Sequence, residues 1–242
     1  MNNFPLCHIP PLIAIAGYLA YPKQLRINPT LLYFLSVIHN GLLVVFSAWT
    51  FISLFHIVYK NGIVFQHNYY YSIKNNESNE SNVNVFNIYN VNFDTIIYLF
   101  YLSKYYEFFD TFLLYLNGKT PIFLQKFHHI GAVICWHLMT VYKVDCIWIA
   151  TIANSFVHTI MYSYYLGCLL KMNQVRFIKK YITSIQLTQL IIPNFIGLYY
   201  YAPPIETMFN YRLIQFFVGY VSVLVVLFSQ FYITNYVKQN KE

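Results

Sequence analysis

The chain alternates long apolar stretches with short polar ones. A membrane-spanning helix needs about 20 mostly apolar residues, and six stretches reach that length. A seventh, at about 4–21, is shorter and contains Pro10 and Pro11. Because backbone exposed to lipid must satisfy its own hydrogen bonds, we predict that all seven are helices. The six long spans are about 31–59, 93–116, 122–142, 146–170, 177–201 and 208–236.

The composition indicates a membrane protein. Of the 242 residues, 58% are hydrophobic and only 10% are charged, and the mean hydropathy is +0.46. A soluble domain carries about a quarter charged residues. We therefore predict an all-α polytopic membrane protein with seven transmembrane helices, which form a single integral membrane domain over residues 1–242.

The net charge of +7 does not indicate nucleic-acid binding, because the basic residues are scattered between apolar spans. No charged segment precedes the first apolar stretch, so we expect internal spans rather than a cleaved signal peptide to direct the chain to the membrane.

The basic residues also predict the orientation, since cytosolic loops carry an excess of Lys and Arg. Most basic residues lie in one set of alternate loops, and this set includes the tail at about 237–242. We therefore predict that the C-terminus and its tail are cytosolic. The polar insert at about 61–92 then lies in the lumen, where its sequons at Asn76 and Asn79 are open to glycosylation. An Asn- and Ser-rich low-complexity loop explains the same residues. The cytosolic set holds Lys23, Arg26, Lys119, Lys171, Arg176, Lys179, Lys180, Lys238 and Lys241, against Lys60, Lys74 and Lys143 in the other.

Four spans carry polar residues that a lipid-facing helix does not tolerate. Ionisable residues inside a membrane mark candidate functional sites, and a rise of 1.5 Å per residue places these in the same cytosolic half. We predict one polar chamber open to the cytosol. Lys104 and Glu107 are spaced to pair on one face, although a purely structural ion pair is an alternative. The four sets are Lys104, Glu107, Asp110 and Thr111; Gln125, His128 and His129; Asn154, His158, Met161, Tyr162 and Tyr165; and Thr183, Gln186 and Gln189.

The adjacent histidines are the most informative of these residues. Gln125, His128 and His129 are spaced i, i+3 and i+4, so they share one arc of a helix. His137 lies two turns beyond His129, and we predict that it is a satisfied helix histidine. The other histidines lack such a spacing, and the four cysteines form no metal-binding pattern. These histidines are His8, His39, His56 and His67, and the cysteines are Cys7, Cys135, Cys146 and Cys168.

Together these motifs resemble the ELO family of very-long-chain fatty acid elongases, over about residues 4–236. Residues 104–111 fit its KxxExxDT motif and residues 125–129 its histidine box. Residues 154–165 fit its NxxxHxxMYxYY motif and residues 183–189 its TxxQxxQ motif. Gln125 stands where the box usually has His. Since Gln forms hydrogen bonds but does not titrate, its role is a supporting one.

The resemblance implies a fold in which six helices form a barrel around an acyl tunnel, with the first helix outside. It implies a 3-ketoacyl-CoA synthase of the endoplasmic reticulum membrane. Such an enzyme joins a long-chain acyl-CoA with malonyl-CoA and releases CoA and carbon dioxide. No metal and no cofactor are expected. The implied partners are a ketoacyl reductase, a hydroxyacyl dehydratase and an enoyl reductase.

The resemblance also implies roles for the polar residues. A neutral imidazole attacks a thioester to form an acyl-imidazole, and we assign that step to His128. His129 and His158 would orient groups or move protons, and Gln125 or Asn154 would stabilise the enolate. Supporting residues are Lys104, Glu107, Asp110, Tyr162, Gln186 and Gln189, and candidates for binding CoA phosphates are Lys126, Lys179 and Lys180. The orientation of the protein alone also explains these last three.

Two other functions fit part of the pattern. A membrane di-iron desaturase or hydroxylase also acts on lipids through histidine boxes, but it needs several clusters of ligands. The chain has eight histidines, of which only His128 and His129 are clustered. A seven-helix transporter or receptor would use polar residues at membrane depth as a ligand pathway.

Overall fold

A computed structural model describes residues 6–20, 27–60, 93–144, 147–172, 177–200 and 208–238. All regular structure within these ranges is helical. A short 3₁₀ turn, Leu6–His8, precedes the first α-helix, and a π-helical turn, Ile233–Val237, follows the last. The helices are α1 (Ile9–Ala20), α2 (Pro29–Lys60), α3 (Phe93–Tyr106), α4 (Phe108–Leu116), α5 (Phe123–Val141), α6 (Ile147–Leu169), α7 (Lys179–Tyr200) and α8 (Met208–Tyr232).

Single helices occupy five of the six long predicted spans, namely α2, α5, α6, α7 and α8. Helix α1 lies within the shorter first span despite Pro10 and Pro11, which stand in its first turn, where a missing N–H costs nothing. The insert at 61–92 with its two sequons lies outside the described residues, as does the chain after Lys238.

The prediction of one continuous helix over 93–116 is wrong. Helix α3 ends at Tyr106, and α4 begins at Phe108. At the junction, the N–H of Glu107 still donates to the carbonyl of Ser103 at 2.9 Å, whereas the N–H of Asp110 donates to the carbonyl of Glu107 at 3.1 Å. This second bond spans three residues rather than four. The turn therefore tightens locally at Glu107.

Two helical segments are long and apolar enough to cross a membrane, Pro29–Tyr59 and Tyr211–Val237. Only 33% of the most apolar part of the first and 11% of that of the second is buried. Their apolar side chains therefore face outward, as lipid contact requires. The structure thus describes an all-α membrane protein. Membrane crossing by the other helices stays a prediction.

The helices pack in a closed order. Helix α2 runs along α6, α6 packs on α7, and α7 packs on α8. Helix α8 then contacts α5, α5 contacts α3, and α3 returns to α2. Helix α1 touches α5. The motif-bearing helices α3–α7 thus lie next to one another, which allows their polar side chains to meet.

Gly131 allows the close approach of α5 and α8. A Cβ atom at this position would collide with the ring of Tyr220. The Tyr220 hydroxyl donates to the backbone carbonyl of His128 at 2.9 Å. We therefore expect Gly131→Ala to displace the ring, break this bond and destabilise the protein by about 1–3 kcal/mol. Thermal unfolding of the purified protein in detergent measures the effect.

Gly219→Ala is the matched control, because Gly219 is the residue before Tyr220 on α8. A Cβ atom there meets no other heavy atom within 4 Å. Since Ala favours helix over Gly by up to about 1 kcal/mol, this variant should be as stable as the wild type or more stable. Equal stability of the two variants would contradict the close packing at Gly131.

Candidate functional site

Lys104 lies at the centre of a buried polar cluster. Its side chain is 1% exposed. Its Nζ atom donates to Oε1 of Glu107 at 2.7 Å and to Oδ1 of Asn154 at 2.7 Å. The ammonium also stands 4.0 Å from the ring centroid of Phe100, where a cation–π contact contributes further. The predicted pairing of Lys104 with Glu107 is confirmed.

His158 completes a ring of four side chains. Its Nε2 atom lies 3.2 Å from Nδ2 of Asn154, and its Nδ1 atom lies 3.3 Å from Oε1 of Glu107. Because Oδ1 of Asn154 accepts from Lys104, the Nδ2 group is the donor to His158. Nε2 of His158 therefore accepts, and Nδ1 carries a proton towards the carboxylate of Glu107. We call these four residues the polar ring: Lys104, Glu107, Asn154 and His158.

Asp110 forms a second cluster beside the polar ring. The Tyr162 hydroxyl donates to Oδ2 of Asp110 at 2.7 Å. Nε2 of His39 lies 2.8 Å from the other oxygen, Oδ1. His39 is absent from the predicted site because its spacing matches no box. Two signals in the sequence could have found it, namely an ionisable residue within an apolar span and a helical line of polar residues that includes Ser36 and Asn40.

The two histidines of the box have different surroundings. Their ring centroids are 5.7 Å apart. The His129 ring is buried beside Tyr18 and Phe108, whereas the His128 ring faces Phe228. Nδ1 of each ring has no hydrogen-bond partner among the described residues. Helix α5, which carries the box, packs against α3 and α6, which carry Lys104 and His158 of the polar ring.

Gln125 bonds to a threonine of the first motif rather than to a histidine. Its Nε2 group donates to Oγ1 of Thr111 at 3.2 Å. The Tyr18 hydroxyl lies 2.9 Å from the same oxygen. Thr111 thus joins α1, α4 and α5. Tyr18 was not predicted, because nothing in the sequence shows which face of α1 meets the other helices.

The TxxQxxQ motif contacts α6 at another point. Nε2 of Gln186 lies 3.1 Å from the Met161 sulfur, and Thr183 is buried with its hydroxyl 3.4 Å from that of Tyr236. Gln189 is half-buried on the same helix. No hydrogen bond of the described residues links this motif directly to the polar ring.

The three lysines proposed for CoA stand at helix beginnings. Lys126 is half-buried in the first turn of α5, and Lys179 and Lys180 are exposed at the start of α7. The Lys180 ammonium is 6.0 Å from the ring centroid of Tyr232. Their contact with CoA stays a prediction.

An open cavity of about 370 Å³ lies between α1 and the α3–α4 junction. The acyl tunnel implied by the family resemblance is to lie inside the helix ring and stays a prediction. Its wall is mainly aromatic and includes Tyr18, Tyr105, Phe108, Phe109, Thr111 and Phe112.

A separate polar cluster surrounds His137. Its Nε2 atom lies 2.8 Å from Nδ1 of His8, and its Nδ1 atom lies 3.0 Å from the Tyr101 hydroxyl. Nε2 of His8 lies 3.0 Å from the Tyr142 hydroxyl. The prediction that His137 is a satisfied helix histidine is confirmed, whereas the role of His8 as its partner was not foreseen.

Cys135 is buried, in agreement with its interpretation as a small apolar residue, whereas Cys7 is exposed and Cys168 half-buried. Among the residues that the structure describes, no group of three or more His, Cys, Asp or Glu side chains is placed to hold a metal ion.

Comparison with known proteins extends the motif evidence to the whole chain. The ELO: GNS1/SUR4 family matches residues 9–242. The chain is 35% identical over 150 residues to fatty acid elongase sre1 of Dictyostelium discoideum, covering 58% of this chain and 53% of that protein. It is 34% identical over 151 residues to very long chain fatty acid elongase 5 of Pongo abelii, covering 60% and 49% of the two chains.

A third relative is very long chain fatty acid elongase 4 of Trypanosoma cruzi (strain CL Brener), 40% identical over 105 residues. That alignment covers 43% of this chain and 36% of the relative. The chain therefore spans about half the length, or less, of these curated relatives. The family match nonetheless covers nearly all of it and includes every residue of the polar ring and the histidine box. The chain belongs to the ELO: GNS1/SUR4 family.

Proposed function

We propose that the protein is a condensing enzyme of fatty acid elongation. It joins a long-chain acyl-CoA with malonyl-CoA to give 3-ketoacyl-CoA, carbon dioxide and CoA. The observation that carries this proposal is the polar ring, buried in a membrane protein of this family beside two histidines with unpartnered ring nitrogens. Apolar side chains of similar volume are often at least as stable as a buried ion pair, even when the pair is well bonded, so a functional role accounts for these four residues.

The first step is acyl transfer to His128. A ring nitrogen of His128 attacks the thioester carbon, the C–S bond breaks, and the ring proton leaves with the CoA thiolate as CoA thiol. The product is an acyl-imidazole, which splits one difficult step into two. The Tyr220 hydroxyl donates to the backbone carbonyl of His128. This bond fixes the backbone from which the His128 imidazole extends.

The second step is condensation. Malonyl-CoA loses carbon dioxide, and the electron pair of the broken C–C bond forms an enolate. The enolate carbon attacks the acyl-imidazole, a new C–C bond forms, and the C–N bond to His128 breaks. One proton returns to the ring, so the overall reaction consumes one proton. We assign proton movement to His129 and His158.

Two amides are proposed to stabilise the enolate. Asn154 uses one N–H towards His158 and has a second one, since an amide carries two. Gln125 uses one of its own towards Thr111. Donors already fixed by other partners need no reorganisation as charge develops. No electrons are transferred to or from an acceptor, so the proposed reaction needs no redox cofactor.

The proposed architecture has seven membrane spans, six of them in a barrel around the acyl chain. The closed packing order from α2 through α6, α7, α8, α5 and α3 supports this arrangement, with α1 outside. We propose the endoplasmic reticulum membrane as the location and the cytosol as the side of the C-terminus, where Lys126, Lys179 and Lys180 would bind CoA phosphates. A ketoacyl reductase, a hydroxyacyl dehydratase and an enoyl reductase would complete each cycle.

Purified protein with labelled malonyl-CoA tests this function. We expect carbon dioxide release that requires a long-chain acyl-CoA, together with a 3-ketoacyl-CoA two carbons longer than the acyl donor. An acyl-CoA panel analysed by product length would give the chain-length preference. Release that does not depend on the acyl-CoA would contradict condensation.

A further inference from the structure

His39 lies outside the four family motifs but is buried against two of them. It stands on α2 with 1% of its surface exposed. Its ring centroid is 5.1 Å from that of Tyr106, 5.3 Å from that of Phe109 and 6.3 Å from that of Tyr162. Through this ring, α2 bonds to an aspartate of the first motif.

The ring and Tyr162 hold Asp110 from two sides. Nε2 of His39 is 2.8 Å from Oδ1, and the Tyr162 hydroxyl is 2.7 Å from Oδ2. Because a carboxylate only accepts, both partners donate. Each oxygen of Asp110 thus has one donor, and the donors come from different helices, α2 and α6. The carboxylate is fixed by this arrangement and in turn fixes the Tyr162 hydroxyl.

Tyr162 connects this cluster to the polar ring. Its ring stands edge-on to His158, with centroids 5.4 Å apart and planes at 86°. The same His158 is held by Asn154 and faces Glu107. A continuous series of contacts therefore leads from His39 to the imidazole to which we assign proton movement.

Packing alone does not explain a histidine here. Nδ1 of His39 is buried without a hydrogen-bond partner among the described residues. An unsatisfied buried polar atom costs free energy that an apolar side chain of similar size would avoid. The nitrogen that is satisfied, Nε2, is the one that bonds to the motif aspartate.

We propose that His39 is a positioning residue for the condensation reaction, acting through Asp110 and Tyr162 on the orientation of His158. This inference rests on the proposed function. His39 touches no reacting atom in this account. Its contribution is to hold the His158 imidazole in position. Displacement of such a group by about 1 Å is enough to slow a reaction up to about 100-fold.

Two polar substitutions separate positioning from packing. In His39→Gln, the amide nitrogen extends to about the place of Nε2 and can donate to Asp110. In His39→Asn, the side chain is shorter, and its amide nitrogen does not reach the carboxylate of Asp110. We expect His39→Asn to lower kcat for carbon dioxide release by about 10- to 100-fold. KM for malonyl-CoA should stay within about threefold of the wild-type value, and His39→Gln should recover most of the lost kcat.

A control variant on α2 and the activity of the wild type show which claim each result tests. His56→Asn places the same change farther along α2 and should leave kcat unchanged. Equal kcat for His39→Asn and His39→Gln would overturn the role of His39, whatever their melting temperatures. A wild-type protein that releases no carbon dioxide with acyl-CoA present would overturn the proposed function. An active wild type with fully active His39 variants would overturn only the positioning role of His39.

Discussion

Replacing His128 with Ala is expected to reduce acyl-CoA-dependent carbon dioxide release by about a thousandfold or more. The reason is that the proposed mechanism forms its acyl-imidazole on the His128 ring, which the substitution removes. Loss of a covalent nucleophile has effects of this size or larger in enzymes with a comparable two-step mechanism. Steady-state rates with saturating malonyl-CoA measure the loss, and single-turnover labelling with radioactive acyl-CoA should show no acyl-enzyme.

The His128→Ala variant should remain folded. The Tyr220 hydroxyl bonds to the backbone carbonyl of His128, which the substitution keeps. His137→Ala is a useful contrast, because His137 bonds to His8 and Tyr101 away from the site. We expect it to lower the melting temperature more than it lowers the rate of the folded protein. A His128→Ala protein with more than a tenth of wild-type activity would exclude His128 as the nucleophile.

Breaking the buried pair of Lys104 and Glu107 is expected to have the largest effect on stability. Either Lys104→Met or Glu107→Gln removes one partner of an ion pair whose side chains are 1% and 3% exposed. An uncompensated buried charge costs about 3–5 kcal/mol. Thermal unfolding in detergent measures the loss. The double variant should be less destabilised than the sum of the single variants, because it leaves no unpaired charge.

The exposed pair of Lys143 and Asp94 supplies matched controls. Its atoms are 3.5 Å apart, and its side chains are 54% and 50% exposed. Lys143→Met and Asp94→Asn should therefore each cost less than about 1 kcal/mol. Additive effects at Lys104 and Glu107, or costs no larger than those at the exposed pair, would contradict the structural account of the polar ring.

Helix positions and local pairs followed from the sequence because they depend on spacing along one helix. Lys104 and Glu107 are three residues apart, and Asn154 and His158 are four apart, so each pair meets on one face. Five long spans likewise matched single helices. In these cases the residues that interact lie on the same element.

Contacts between residues on different helices could not be predicted from spacing along the chain. His39 and Asp110 are 71 residues apart, and His8 and His137 are 129 apart. Pairing over such distances depends on which helix faces meet. His39 shares one side of α2 with buried polar residues such as Ser36 and Asn40, but this pattern does not show which helix that side packs against. The tightened turn at Glu107 was missed because no Gly or Pro marks it in the sequence.

The roles of His128, His129 and His158 stay predictions, and one measurement tests the central one most directly. The protein is incubated with a long-chain acyl-CoA in the absence of malonyl-CoA, digested and examined by mass spectrometry. We expect an acyl group on the His128 ring, assigned by fragmenting the peptide because His129 is adjacent, and it should disappear as 3-ketoacyl-CoA forms when malonyl-CoA is added. An acyl group on Cys135, or condensation without any acyl-enzyme, would contradict it.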